Sequence, residues 1–437
     1  MGSPIVACAT PRGRSAVAML RMSGDGVADI ARRLVHRDLP PQKSVFVRFL
    51  VAGRVLDEGM ALWRPGPHTS TGEDVVELTP HGNPVVVDAL LAAAVDGGAR
   101  LARPGEFTRR AVEHGRLDLV AAEAVDQVVR ATSVSGCDVA RMALDGRLSA
   151  CLLDIRHRLL DASAELVARL DWAGDDLADV DDGTLISRLL AVADAADALA
   201  DTCVAGSRRV EGASVVVVGE ANAGKSSLFN ALVGTERALV HASPGTTRDV
   251  VEARVQLGNL AVTLYDTAGE RQTDDPVEAL GLAFASRVIE EADLVLLLLA
   301  GHVLGPSEVE LALMARLASV QPVTAVNRAD LGARLVPEHA ISVSAATGLG
   351  VTTLVACLVD RLIGVAPAIA IASTRQRDLL RCVARGARAA TRSLEEAGPA
   401  AAGDDLVEAI ADLDGMAGFE AREAVLDAVF ARFCIGK

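Results

Sequence analysis

The sequence predicts a multidomain chain with an α+β part at its start, followed by a helical domain that an α/β domain interrupts. Three observations predict it. At 437 residues the chain is too long for a single hydrophobic core. Between Ala213 and about Ile363, strand-like apolar runs alternate with helical stretches, the pattern of a mainly parallel sheet with covering helices. On both sides of that region the apolar spacing is helical.

Short β-like runs (Ile5–Ala9, Ala16–Met22, Asp74–Leu78) broken by turns such as Arg64-Pro65-Gly66-Pro67 make the first 116 residues α+β. Residues 117–211 read as helical, with Leu152, Ile155, Leu159, Leu166 and Leu170 on one face. Residues 212–364 hold the apolar runs Val215–Val218, Val262–Tyr265, Leu294–Leu299, Val323–Val326 and Ile341–Val343. Residues 365–437 return to helix, with Leu406, Ile410 and Leu413 as a stripe. The order helical, α/β, helical implies that the α/β domain is inserted.

Composition narrows the function. Hydrophobic residues make up 51% and charged residues 23%, which excludes a disordered chain. The longest strongly apolar run, Leu294–Ala300, falls far short of the roughly 20 residues that cross a bilayer. No basic-then-apolar signal segment opens the chain, so a cytoplasmic location with no membrane partner is expected. The seven cysteines include no C-x-x-C pair, which fits neither a disulfide framework nor a zinc site; apart from Cys434 most are expected to be small core residues. Net charge is −15, divided as +2 over residues 1–120 and −17 over the rest. An RNA contact must therefore be local or supplied by a partner. Only three basic residues are lysine: Lys43, Lys225 and Lys437.

Gly219-Glu220-Ala221-Asn222-Ala223-Gly224-Lys225-Ser226 follows one strand-like run and precedes a helical one. That is G-x-x-x-x-G-K-S in the setting its mechanism requires: glycines turn backbone N–H groups toward phosphates, and a helix N-terminus adds its dipole. Lys225 is expected on the β- and γ-phosphates and Ser226 on Mg2+, with Asn222, Ala223, Gly224 and Ser227 completing the loop. Thr246-Thr247-Arg248-Asp249 stands where a switch threonine closes the Mg2+ shell, and Thr247 is the expected ligand. Asp266-Thr267-Ala268-Gly269 supplies an acid for Mg2+ and an N–H at Gly269 to sense the γ-phosphate. Asn327-Arg328-Ala329-Asp330 has the place of a guanine reader: Asp330 accepts from N1–H and the 2-amino group, a donor pair that adenine lacks. Ser344-Ala345 completes that pocket, and Arg328 stands where a lysine is usual. The motifs in this order specify a GTP-binding domain that hydrolyses GTP.

The phosphate loop, Gly245–Asp249, Asp266–Gly269 and the final Phe433-Cys434-Ile435-Gly436-Lys437 resemble the bacterial tRNA-modification GTPase family MnmE (TrmE). The resemblance extends to Ile5-Val6-Ala7, Ala9-Thr10-Pro11, Thr71-Gly72-Glu73-Asp74 and Arg103-Pro104-Gly105-Glu106-Phe107, and so covers essentially the whole chain. It implies an N-terminal α+β folate-binding-like and dimerisation domain, a discontinuous helical domain, and an inserted P-loop Ras-like G domain.

The same resemblance implies site residues and partners. Asn222, His241, Ser243 and Thr246 would hold K+, with His241 and Ala242 departing from the family's Thr and Asp. Glu278 would orient the attacking water, since Glu270-Arg271 and not a glutamine stand directly after Asp266–Gly269. Arg21, Glu77, Arg116 (a lysine in the family) and Lys437 would bind a 5-formyl- or methylene-tetrahydrofolate: arginine for the glutamyl carboxylate, glutamate for the donor edge of the pterin. Cys434 would take part in the chemistry as a thiol. The expected partners are a second copy of the chain, an FAD-dependent MnmG (GidA)-type protein forming a heterotetramer, and a tRNA modified at C5 of its wobble uridine. The competing reading is a ribosome-assembly GTPase of the Era/Der class. It shares the G motifs, but not the Phe-Cys-Ile-Gly-Lys ending.

Overall fold

The computed structural model describes residues 2–171, 182–235, 250–267, 288–301, 305–332, 336–365, 367–418 and 423–436. Contacts divide the chain into two compact units. The first comprises Met1–Asp126, Ala143–Asp194 and Cys382–Lys437; the second comprises Gln127–Met142 and Ala195–Arg381.

The first unit begins with a six-stranded sheet in the order β4-β5-β6-β3-β1-β8. Its strands are β1 (Ile5–Cys8), β3 (Leu20–Ser23), β4 (Val45–Val51), β5 (Arg54–Arg64), β6 (Val75–Thr79) and β8 (Arg100–Leu101). The run expected over Ala16–Met22 is two strands, because β2 (Ser15–Val17) leaves to pair with β7 (His81–Gly82). The register sorts side chains onto two faces. Val6, Leu20, Met22, Val76, Leu78 and Ala61 face the helices Val27–Val35 and Pro84–Asp96 and form the core with them. The alternate residues, Ala7, Arg21, Glu77 and Leu62, line up across the opposite face. In the helical part of this unit, helix Arg147–Asp171 packs along helix Pro399–Ala417, and Arg156 Nε donates to Asp414 Oδ1 at 2.5 Å. Leu152, Ile155, Leu159 and Leu166 are buried as their spacing requires, but Leu170 is 45% exposed. It stands at the last turn, one residue before the helix ends.

The second unit is built on a sheet in the order β10-β11-β9-β12-β13-β14. Its strands are β9 (Ala213–Val218), β10 (Val250–Leu257), β11 (Leu260–Thr267), β12 (Leu294–Leu299), β13 (Val323–Val326) and β14 (Ile341–Ser342). All neighbours are parallel except the β10–β11 edge hairpin. Every residue of β12 is buried, as a central parallel strand covered on both faces demands. Helices Lys225–Thr235 and Val351–Ile363 cover one face, and helix Glu308–Leu317 covers the other.

The chain enters and leaves this sheet at one place. Helix Cys203–Glu211 ends just before β9. Its Arg208 donates to Leu362 O at 2.9 Å and to Asp293 Oδ1 at 2.9 Å, while Arg209 donates to Ile363 O at 3.0 Å. Arg209 is 3% exposed, and burial pulls its guanidinium pKa down.

The cysteines depart from expectation. Only Cys203 is buried; Cys137 and Cys434 are exposed and the other four are half-buried. No helix among the described residues is long and apolar enough to cross a membrane.

Candidate functional site

The phosphate loop leaves the carboxyl end of β9, the end of an open α/β sheet where ligands gather. A methyl group on Gly224 (φ +94°) would lie 2.2 Å from Asn327 Nδ2, so only glycine fits there. Lys225 is 7% exposed, and its Nζ donates to Gly219 O at 3.0 Å and Glu220 O at 3.1 Å. Ser226 Oγ donates to Asp266 Oδ2 at 2.8 Å, which joins the phosphate loop to the end of β11. Asp266 Oδ1 is buried and has no hydrogen-bond partner among the described residues. A buried carboxylate oxygen left bare is costly unless a cation or donor meets it, so this pair fits a magnesium site. Glu220 Oε2 accepts from Ser307 Oγ at 2.9 Å, and Ser307 caps helix Glu308–Leu317.

On the base side, Asn327 works as a brace. Its Nδ2 donates to Ala223 O at 2.8 Å, and its Oδ1 accepts from the N–H groups of Arg328 at 2.8 Å and Ala345 at 3.0 Å. One side chain thereby ties three loops together. Arg328 Nη2 donates to Asn222 O at 3.1 Å, so its cation is engaged by the phosphate loop. Asp330 is exposed on the short turn Ala329–Leu331, and Ser344 is fully buried with its Oγ accepting from Thr347 N–H at 3.2 Å. The structure therefore brings together Asn222, Ala223, Gly224, Lys225, Ser226, Ser227, Asp266, Asn327 and Ala345, with Asp330 and Ser344 beside them. Thr246, Thr247, Gly269, His241, Ser243, Glu278 and Lys437 lie outside the described residues.

In the first unit the chain's last described residues are anchored. Phe430 and Phe433 pack on Leu119 and Ala122, with ring centroids 5.1 Å apart. Gly105 N–H donates to Cys434 O at 3.4 Å; a methyl group on Gly105 (φ +65°) would lie 2.9 Å from Phe433 Cβ. One on Gly436 would lie 2.8 Å from Ala9 Cα. The tail thus passes the end of β1 and leaves Cys434 exposed.

Ala7 opposes Arg21, and Arg21 opposes Glu77. Arg21 Nε and Nη2 both donate to Glu77 Oε1, at 3.1 and 2.8 Å. Arg64 approaches the other oxygen, with Nη2 3.6 Å from Oε2. Sequence reading passed over Arg64, since an exposed arginine carries no motif; only the register places it beside Glu77. Arg116 is exposed and packs near Gly72, its Cγ 3.4 Å from where a Gly72 methyl would stand. A separate cavity of about 520 Å3 opens between helices Glu106–Glu113 and Glu423–Phe430. Its charges largely pair among themselves, as Arg109 does with Glu113 and Asp427.

Comparison with known proteins agrees with this architecture. A family model described as the GTP-binding protein TrmE N-terminus matches residues 4–116, and one described as the MnmE helical domain matches residues 119–434. The tRNA modification GTPase MnmE of Synechococcus sp. (strain CC9605) is 40% identical over 99% of this chain and 98% of its own. That of Aquifex aeolicus (strain VF5) is 36% identical over the whole of both chains. Among solved structures, the G domain of the T. maritima FeoB iron transporter is 24% identical over 34% of this chain and 98% of its own, with a TM-score of 0.28. The chain belongs to the tRNA modification GTPase MnmE family.

Proposed function

We propose that this chain, a GTP hydrolase of tRNA modification, works with a flavin-dependent MnmG-type partner to modify C5 of the wobble uridine, using a one-carbon tetrahydrofolate. The observation that carries the nucleotide half is the Ser226–Asp266 pair with its bare, buried Oδ1. When GTP enters, Lys225 exchanges two neutral carbonyls for phosphate oxygens; Ser226 and Thr247 would hold Mg2+, with Asp266 acting on it through water. When bound, Mg2+ and K+ would supply positive charge at the phosphates. The exposed Asn222 side chain offers an oxygen for K+, its backbone oxygen being taken by Arg328; His241, Ser243 and Thr246 complete that shell. Glu278 orients the water, the Gly269 N–H senses the γ-phosphate, and Asp330 reads guanine in a pocket closed by Asn327, Ser344 and Ala345.

For the folate half, the contact between Arg21 and Glu77 sharpens the assignment. The pterin and glutamyl ends of a folate are separated by an aminobenzoyl ring, so two groups that touch serve one end, and Glu77 assigns that end to the pterin. Arg116, Lys437 and the Cys434 thiol belong to the same reading, as the family resemblance implies. The four-part division at residues 116, 211 and 364, a homodimer through the first part, a heterotetramer with the partner, and a cytoplasmic location belong to this reading.

The test is mass spectrometry of wobble-uridine nucleosides in a bacterial strain lacking its own modification GTPase, complemented with the chain or its Cys434→Ser variant. Restoration by the chain and loss with the variant are expected. No restoration, with the host's partner shown to bind the chain, would favour the ribosome-assembly reading.

A further inference from the structure

On the face of the first sheet opposite its helices, two guanidiniums share one carboxylate. Arg21 and Arg64 both turn to Glu77, and Arg116 stands by the neighbouring Gly72. Of the carboxylates that follow in the chain before β6, Glu73 Oε2 accepts from Arg110 at 2.7 Å, and Asp74 Oδ1 accepts from Gly66 N–H at 2.8 Å. The two guanidiniums on Glu77 differ. Arg21, whose side chain is 25% exposed, makes two hydrogen bonds to Oε1. Arg64, at 46%, stops 3.6 Å from Oε2, outside normal hydrogen-bond reach, and has no other partner among the described residues. Oε2 and the Arg64 guanidinium are thus an acceptor and a set of donors side by side, each incompletely matched, with the Glu77 side chain 13% exposed and that of Arg64 46%. Arg64 and Glu77 share a face because Arg64 opposes Val75 two residues along from Glu77.

A 4-oxopterin presents two donors, the 2-amino group and N3–H, followed on the same edge by one acceptor, O4. A carboxylate beside an arginine is the complement of that order. We infer that Arg64 is a ligand-contacting residue of the folate site: it donates to O4 of the pterin while Glu77, held by Arg21, accepts from N3–H and the 2-amino group. This rests on the folate reading above and adds to it the residue that selects a 4-oxo ring. Arg21 is then a positioning residue, fixing the carboxylate through Oε1.

The test is calorimetric titration of the full chain with two ligands, 5-formyltetrahydrofolate and its 4-amino-4-deoxy analogue, which turns the O4 acceptor into a donor and takes the hydrogen from N3. The intact chain is expected to prefer the 4-oxo ligand by roughly a hundredfold or more, because in the analogue N3 is mismatched against Glu77 and the 4-amino group against Arg64. Arg64→Met keeps the apolar stem and is expected to lower that ratio about tenfold, leaving the part due to N3 and Glu77. Arg64→Lys should recover part of the preference. The ratio within one variant cancels any general loss of fold, and unchanged thermal melting checks folding separately. A full preference retained by Arg64→Met would overturn the role of Arg64 and leave the folate reading standing. No binding of either ligand to the intact chain would overturn both.

Discussion

The phosphate loop and the outer face of the first sheet both hold cations next to a candidate ligand site, but they engage them differently. Lys225 rests on two neutral carbonyls of its own loop. Arg21 rests on a carboxylate. A phosphate displaces the first arrangement readily, because a charge-assisted bond replaces two bonds to neutral acceptors. A ligand at the second must fit around an ion pair that persists. The nucleotide-site lysine is therefore held by backbone carbonyls and the sheet-face arginine by a side-chain carboxylate. The first site tolerates few changes in its glycines, the second few in its charges.

The largest test of that contrast is Lys225→Ala. Nucleotide affinity should fall by roughly a hundredfold or more, followed by titration of a fluorescent GDP analogue, with melting temperature little changed. An affinity within threefold of the intact chain would remove Lys225 from the phosphate site. Next comes Gly105→Ala, which brings a side chain onto φ +65° and against Phe433. A loss of about 1–3 kcal/mol in denaturant unfolding is expected, with faster carboxypeptidase trimming of the tail. Gly403→Ala is the control: it lies inside helix Pro399–Ala417 with nothing within 4 Å of the added methyl, and should stabilise by about 0.5–1 kcal/mol.

The smallest effect is a pH dependence. Burial pushes the Glu106 carboxyl up, but hydrogen bonds from the Arg100 guanidinium and the Arg103 N–H outweigh it and hold the pKa below the usual value. A folded pKa below the unfolded one stabilises above the unfolded value of about 4.3 and is lost as pH falls through the folded one. Arg100→Gln should therefore narrow the stability difference between pH 6 and pH 3. Equal acid sensitivity in both proteins would show that Glu106 does not contribute.

What was legible in the sequence follows the same division. Gly219–Ser226 could be recognised because a loop that wraps phosphates constrains residue type at fixed spacing, and its placement between β9 and helix Lys225–Thr235 is as expected. Asn327 was legible as part of a motif but not as the brace between Ala223 and Ala345, which depends on folded distances. The β4–β5 hairpin left no clear alternation, because Phe46, Val55, Leu56 and Met60 are apolar yet exposed. Arg64 was illegible because its meaning lies in cross-strand register, which one sequence does not state. The tail could be singled out by residue type, but its anchoring through Gly105 and Gly436 required the fold.

Arg208 and Arg209 bind the carbonyls where helix Val351–Ile363 ends, next to where β9 begins. The 151 residues from Ala213 to Ile363 thus start and finish within the reach of two side chains. To the surrounding chain such an insert is a closed excursion: its length adds only slowly to the entropy of joining its ends. A segment whose ends lie so close can be lengthened or shortened there without stretching the rest of its unit.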